Sequence, residues 1–398
     1  MFVFIGGEWG ISTGWATSGF FLDIARSHNG AFFYTEHRFY GDSYPIYNWE
    51  VDGFRYLSAD QALADLVYFI EYQKQNTPGL RNSTVVVAGS SYAGSLAAWA
   101  RIKYPHKIDI AYSSSGPLHA KADFPEYFAA VEENLRLASP TCPQLIRRAM
   151  ADAIQLLETQ EGAATLSELF NTCEPLKGPV EPDRSYFLTG LSSPFADVAQ
   201  TAGPGDLVAE CERLENNTGT DLEKLAEYIK PLQYCIWTYD LFRDYYSETY
   251  VIGSMRTRQW LYQTCTEFGW YQTQAFGDTF KVDLFYQLCS DVLGEQFTSS
   301  TLQAGVKRTN LFYGSINPKV TRLITCQGTA DPWHTVGLQN DLNDHAITII
   351  VNGTSHSADL YSVMDSDPVE LKQARTRIMD TISAWISEIE GGVKSTTK

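Results

Sequence analysis

No run of about 18 apolar residues occurs in the chain, which excludes a membrane-spanning helix. Basic residues are scarce: 30 Lys and Arg stand against 47 Asp and Glu, for a formal net charge of -17. So acidic a surface repels phosphates, which excludes nucleic acid and anionic membranes as partners. Cysteine is sparse. Cys142, Cys173, Cys211, Cys235, Cys265, Cys289 and Cys326 form no CxxC pair and no zinc-ligand spacing with histidine. Neither a metal nor a cofactor is expected. Internal repeats and low-complexity runs are lacking, and the opening MFVFIGGEWG is no signal segment but reads as a core strand and loop. Either the N-terminus is truncated or the gene model is incomplete.

The 398 residues, 44% hydrophobic and 13% aromatic, can bury a large core. Six of the cysteines fall between 142 and 289 and read as a disulfide-stapled region of open pairing, while Cys326, in a hydrophobic strand, is the expected free thiol. Sequons at Asn82, Asn216 and Asn352 agree with glycosylation on a secretory route. The expected home is the lysosomal or endosomal lumen, or the exterior.

The most informative stretch is VVVAGSSYAGSLAAW, in which Ser91 sits between a β-branched run and an apolar helical pattern. Gly89 and Gly94 flank the turn. A serine hydroxyl needs an adjacent base and N–H donors for the oxyanion it creates. The Tyr92 N–H, at the helix start, is the expected donor. Ala93 stands where such elbows usually carry glycine. The plainer alternative is a helix start merely capped by Ser90 and Ser91.

Periodicity gives strands over 2–5, 31–36, from 85, and over 108–112, alternating with helices over 15–26, 59–75 and 92–103. From about 119 to 311 helical patterns dominate, among them 126–138, 142–160 and 221–228. Strands return over 320–326 and 346–351, before a last helix over 368–389. The expected fold is α/β, an α/β-hydrolase with a doubly wound, mostly parallel sheet. Residues 1–118 and 312–398 form the hydrolase domain, and 119–311 an inserted helical cap over the carboxyl ends of the strands.

In that fold the triad follows as serine, acid, histidine, each after a strand. His356, in NGTSHSADL after ITIIV, and Asp331, in QGTADPW after LITC, meet the order. His356 is the expected base and Asp331 the residue that fixes its tautomer. His345 precedes its strand, and His334 is too close to Asp331 to come from a separate strand.

GGEWG, EHRFYG, GSSYAG, TCTEFGWYQT, DPW and NGTSHSADL resemble signatures of the serine carboxypeptidase family that includes lysosomal Pro-Xaa carboxypeptidase, dipeptidyl peptidase II and thymus-specific serine protease. The resemblance spans nearly the whole chain. It implies a Ser91, Asp331, His356 triad under an inserted helical domain, and cleavage after proline near a peptide terminus. Ser357 and Tyr361 stand where the first two enzymes carry a second histidine and an arginine, which draws the match towards the thymus-specific branch.

Of the remaining residues, Gly7 in the Gly6–Gly10 loop is expected to complete the oxyanion hole. Glu36, with His37 and Arg38, is expected to support the site through a buried ion-pair network or to contact substrate. Trp333 and Phe268 are candidates for a proline-accepting pocket, against core packing as the alternative. The expected function is a serine exopeptidase acting on peptides after proline or a small residue. A homodimer is the oligomer considered. The alternatives are a lipase or carboxylesterase on the same triad, and a silent binding module on the same scaffold. Activity should rise as His356 loses its proton, and an acidic compartment implies a lowered apparent pKa.

Overall fold

The computed structural model describes residues 1–203, 205–250 and 257–396. Its strands are β1 (Phe2–Ile5), β2 (Phe32–Thr35), β3 (Val86–Ser90), β4 (Ile110–Ser114), β5 (Lys121–Asp123), β6 (Gly269–Tyr271), β7 (Leu323–Gly328) and β8 (Ala346–Val351). Six of them build one sheet in the order β2-β1-β3-β4-β7-β8, with all neighbours parallel.

Alternation along each strand explains why both faces are covered. Val3, Ile5, Val87, Ala111 and Leu323 pack on one side, with Leu63, Leu66 and Ile70 of helix Ala59–Asn76 and Leu96 of helix Tyr92–Lys103. Phe2, Phe4, Val86, Ile110 and Ile324 point to the other, against Phe21 and Ile24 of helix Phe20–Ser27 and Ile378, Ile382 and Trp385 of helix Val369–Thr396.

From β1 the chain crosses outward to β2, then returns past β1 to β3 and proceeds the other way. The carboxyl ends of β1 and β3 therefore flank a switch point, the crevice where open α/β sheets bind ligands.

Between β4 and β7 none of the described residues joins this sheet. The segment forms helices, and β5 and β6 make a separate two-stranded sheet. The apolar cluster on the first face continues into these helices through Phe128, Val131, Ile146 and Leu188. Disulfides join Cys142 to Cys211, Cys173 to Cys235 and Cys265 to Cys289, while Cys326 is free and buried. Asn82, Asn216 and Asn352 are exposed. Among the described residues no helix is long and apolar enough to cross a membrane.

Two helices differ from their sequence reading. The pattern over 15–26 is split into Gly14–Thr17 and Phe20–Ser27 by Gly19 at φ 123°, where a Cβ would meet Trp15 Cε3 at 2.9 Å. The run over 142–160 ends at Leu156, and a new helix starts at Gln160 because the Thr159 hydroxyl caps it by accepting from Gly162 N–H.

Candidate active site

Ser91 stands between β3 and helix Tyr92–Lys103 with φ 58° and ψ -129°, a backbone state that costs an L-residue about 1–3 kcal/mol. Its neighbours must be small. A Cβ on Gly89 would lie 2.2 Å from the Ala93 carbonyl oxygen, and one on Gly94 would lie 2.7 Å from that of Ser114. The Ser91 N–H donates to Ser114 O at 2.9 Å, tying the turn to the next strand. The Ser90 hydroxyl is engaged with Ser357 Oγ at 2.6 Å. Among the described residues no side-chain hydrogen bond holds the partly exposed Ser91.

Gly7, on the loop after β1, packs against the first turn of the same helix, its absent side chain facing Ala93 N at 3.4 Å. The EHRFYG motif fixes this loop. The Glu36 carboxylate accepts from Ile11 N–H at 3.0 Å, from Asp42 N–H at 2.9 Å and from Ser43 Oγ–H at 2.7 Å. Gly41, at φ 58°, leaves the room that carboxylate occupies, since a Cβ there would be 1.8 Å from Glu36 Oε1. The expected ion-pair network does not form among these three residues. Arg38 pairs with Asp65 at 2.6 Å, and His37 faces inward.

His37 donates from Nδ1 to Arg38 O at 2.7 Å, so its Nε2 accepts from Tyr92 Oη at 3.1 Å. Burial holds its pKa down to about 4, which keeps the ring neutral. Gln263 Nε2 donates to Tyr92 Oη at 2.9 Å, and Tyr40 Oη donates to Gln263 Oε1 at 2.6 Å. This buried polar chain orients Tyr92, whose N–H is among the first in its helix and lacks an intrahelical acceptor.

The TCTEFG motif is a dock. The buried Glu267 carboxylate receives the Ala59 N–H, at 3.1 Å from Oε2, at the start of helix Ala59–Asn76. Burial raises its pKa to about 7. Phe268 is fully buried and stacked on Trp270 at 4.7 Å, as core packing requires.

The loops after β7 and β8 bring Asp331 and His356 together, with His356 Nδ1 donating to Asp331 Oδ2 at 2.9 Å. The remaining Asp331 oxygen accepts from Trp333 N–H at 2.9 Å. The two loops are laced by Thr329 N–H to Val351 O and Ala330 N–H to Thr354 O, both at 3.0 Å. His356 Nε2 is buried and has no hydrogen-bond partner among the described residues. Burial opposes the charged imidazole, yet the Asp331 carboxylate outweighs it, with smaller help from Glu8 and Asp359, so the net pKa shift is upward. The Asp331 contact acts against the lowered value expected for an acidic compartment. His345 lies at the amino end of β8, its ring near Trp385, and His334 bonds back to Asp331 O at 2.6 Å.

A cavity of about 660 Å³ opens beside these loops, bordered by Gly7, Ser90, Ala93 and His356 and walled by Trp9, Trp15, Tyr34 and Tyr361. Trp333 is not part of that wall. Its ring sits against Phe124 and Tyr127 and donates to Gln200 Oε1 at 2.8 Å. Gln200 was not visible from sequence because it lies near a helix end in a region without motifs. Asp359 lay inside a quoted motif but was unassigned; its carboxylate accepts from Tyr112 and, at 2.7 Å, from Ser114 Oγ, pinning the His356 loop to β4. Among the described residues no group of three or more His, Cys, Asp or Glu is arranged to hold a metal.

The model of the serine carboxypeptidase S28 family matches residues 1–378. A protein of Caenorhabditis elegans is 30% identical over 97% of this chain and 81% of its own length. The thymus-specific serine protease of Mus musculus is 28% identical over 98% of this chain and 81% of its own. The lysosomal Pro-X carboxypeptidase of Bos taurus is 28% identical over 93% and 77%. With the family match running through β1, β3, β7 and β8 alike, the chain belongs to the serine carboxypeptidase S28 family and is a serine peptidase.

Proposed function

We propose that the chain is a serine exopeptidase that cleaves near a peptide terminus, after proline or a small residue, through Ser91, His356 and Asp331. One observation carries the reading: His356 donates its Nδ1 proton to Asp331 and keeps a buried Nε2 with no partner among the described residues, while His356 and the Ser91 turn border one cavity. In that tautomer Nε2 takes the Ser91 proton as Oγ attacks the scissile carbonyl. The N–H groups of Tyr92 and Gly7 face the developing oxyanion. Asp331 stabilises the imidazolium, which then protonates the leaving amine. Water, activated by the same nitrogen, releases the acyl group and regenerates Ser91.

Glu36 and Trp333 support this arrangement, the first through the loop that carries Gly7, the second through Asp331. The preference for proline rests on the resemblance and on relatives named Pro-X carboxypeptidase. Three disulfides and exposed Asn82, Asn216 and Asn352 favour glycosylation and a lumenal or secreted location.

The test is labelling with a fluorophosphonate probe beside turnover of Xaa-Pro peptides and short acyl esters. Label on the wild type, none on Ser91→Ala, and hydrolysis of the peptides are expected. Label that persists in Ser91→Ala overturns the nucleophile, and esters turned over without peptides overturn the substrate class.

A further inference from the structure

Helix Asp183–Thr201 reaches down from the segment between β4 and β7, and its last turn meets both loops that bear the acid and the base. The carbonyl of Gln200 is one of the final four of its helix and has no intrahelical donor. It accepts the backbone N–H of His356 at 3.0 Å. The Gln200 side chain turns the other way, and its Oε1 accepts from Trp333 Nε1 at 2.8 Å and from Tyr127 Oη at 2.9 Å.

Each contact continues to the acid. Trp333, fixed by its ring nitrogen, gives its backbone N–H to Asp331 Oδ1 at 2.9 Å, the oxygen that does not face His356. Tyr127 belongs to helix Pro125–Ala138, whose Asn134 Nδ2 donates to Ala330 O, next to Asp331, at 2.7 Å. Immediately after Gln200, Thr201, Ala202 and Gly203 line the same cavity as His356. One turn of helix thus touches the base loop through its backbone, the acid loop through a side chain, and the space a substrate fills.

We propose that Gln200 is a positioning residue that couples the seating of this turn, and so the filling of the cavity, to the alignment of His356 with Asp331. The proposal rests on the reading of Ser91, His356 and Asp331 as the catalytic residues. The carboxylates acting on His356 are Asp331 from the β7 loop, Glu8 from the β1 loop and Asp359 from its own loop. Gln200 adds an acceptor without adding charge. Removing the acceptor frees Trp333 and slackens the hold of Asp331 on the imidazolium. Replacing it by a carboxylate keeps the acceptor and introduces a further negative charge.

The experiment compares Gln200→Met, nearly the same shape but without the acceptor, with Gln200→Glu. Thermal unfolding checks the fold, an Xaa-Pro peptide gives kcat and KM across pH, and NMR of nitrogen-labelled histidine titrates His356 independently of turnover. The Met variant should lose about tenfold or more in kcat with KM within about threefold, and its His356 midpoint should fall. The Glu variant should recover most of kcat at high pH, with a midpoint raised above the wild type by about half a unit or more. A folded Met variant with unchanged kcat and midpoint overturns the proposal, as does a Glu variant whose midpoint does not move; if Met does not fold, the Glu midpoint alone decides. If wild-type protein hydrolyses no peptide while the midpoints move as expected, the positioning stands and the catalytic reading falls.

Discussion

The six-stranded sheet and the helices between β4 and β7 are held together by different means. The sheet is aligned by parallel backbone pairing, by two apolar faces and by glycines where chain crosses chain. The helices share one of those faces but are also tied by three disulfides, across separations of 69, 62 and 24 residues. The residues proposed for catalysis, Ser91, Asp331 and His356, sit on the first, at loops whose register the strands fix. The second contributes contacts that cross-links can hold without fixing each angle.

Breaking the sheet side should cost chemistry and little stability. Ser91→Ala and Asp331→Asn are each expected to lower kcat by about 10³–10⁴-fold, with the Ser91→Ala unfolding midpoint near that of the wild type, read by peptide turnover and calorimetry. Breaking the helical side should do the reverse. Cys142→Ser with Cys211→Ser should cost about 2–5 kcal/mol in denaturant unfolding, while fluorophosphonate labelling of the still-folded protein stays within about twofold. A labelling rate that collapses in the folded state would erase the contrast.

The dock between the two regions gives a subtler probe. Because burial raises the Glu267 pKa to about 7, its carboxyl favours folding most at low pH, below its ordinary range, and that contribution fades as pH rises towards 7. Glu267→Gln should remove about 3 kcal/mol of this pH dependence between pH 4.5 and 7, measured by unfolding across pH. The smallest effect is the position of the rate profile. With the His356 pKa raised by Asp331, kcat/KM should rise with pH about a single ionisation whose midpoint lies above the ordinary imidazole value of about 6.5. A midpoint near 5 would show that the Asp331 contact is not what governs this imidazole.

The same division governs what the sequence disclosed. The strands over 2–5 and 346–351, and the placement of Ser91, Asp331 and His356 directly after strands, were legible because burial on both faces writes apolar runs and the fold dictates which loops follow them. The break at Gly19 was not, since it depends on the room taken by Trp15, and neither was the cap at Thr159 inside a continuous periodic run. Disulfide pairing stayed open because spacing alone does not choose partners. Gln200 left no trace, because its role depends on a helix end meeting loops far away in sequence. EHRFYG and TCTEFG were recognisable as motifs, but their work, holding a loop and docking a helix, emerges only from the hydrogen bonds of Glu36 and Glu267.

Glu36 and Gly41 are in effect one part made from two residues. The carboxylate of one lies where the side chain of the other would be, so any larger residue at 41 must evict Glu36 and release the Ile11 and Asp42 amides it holds. The penalty would fall several residues away, on the loop that carries Gly7 and packs against the first turn of helix Tyr92–Lys103, so this pair acts as a keystone for a loop beside the proposed site.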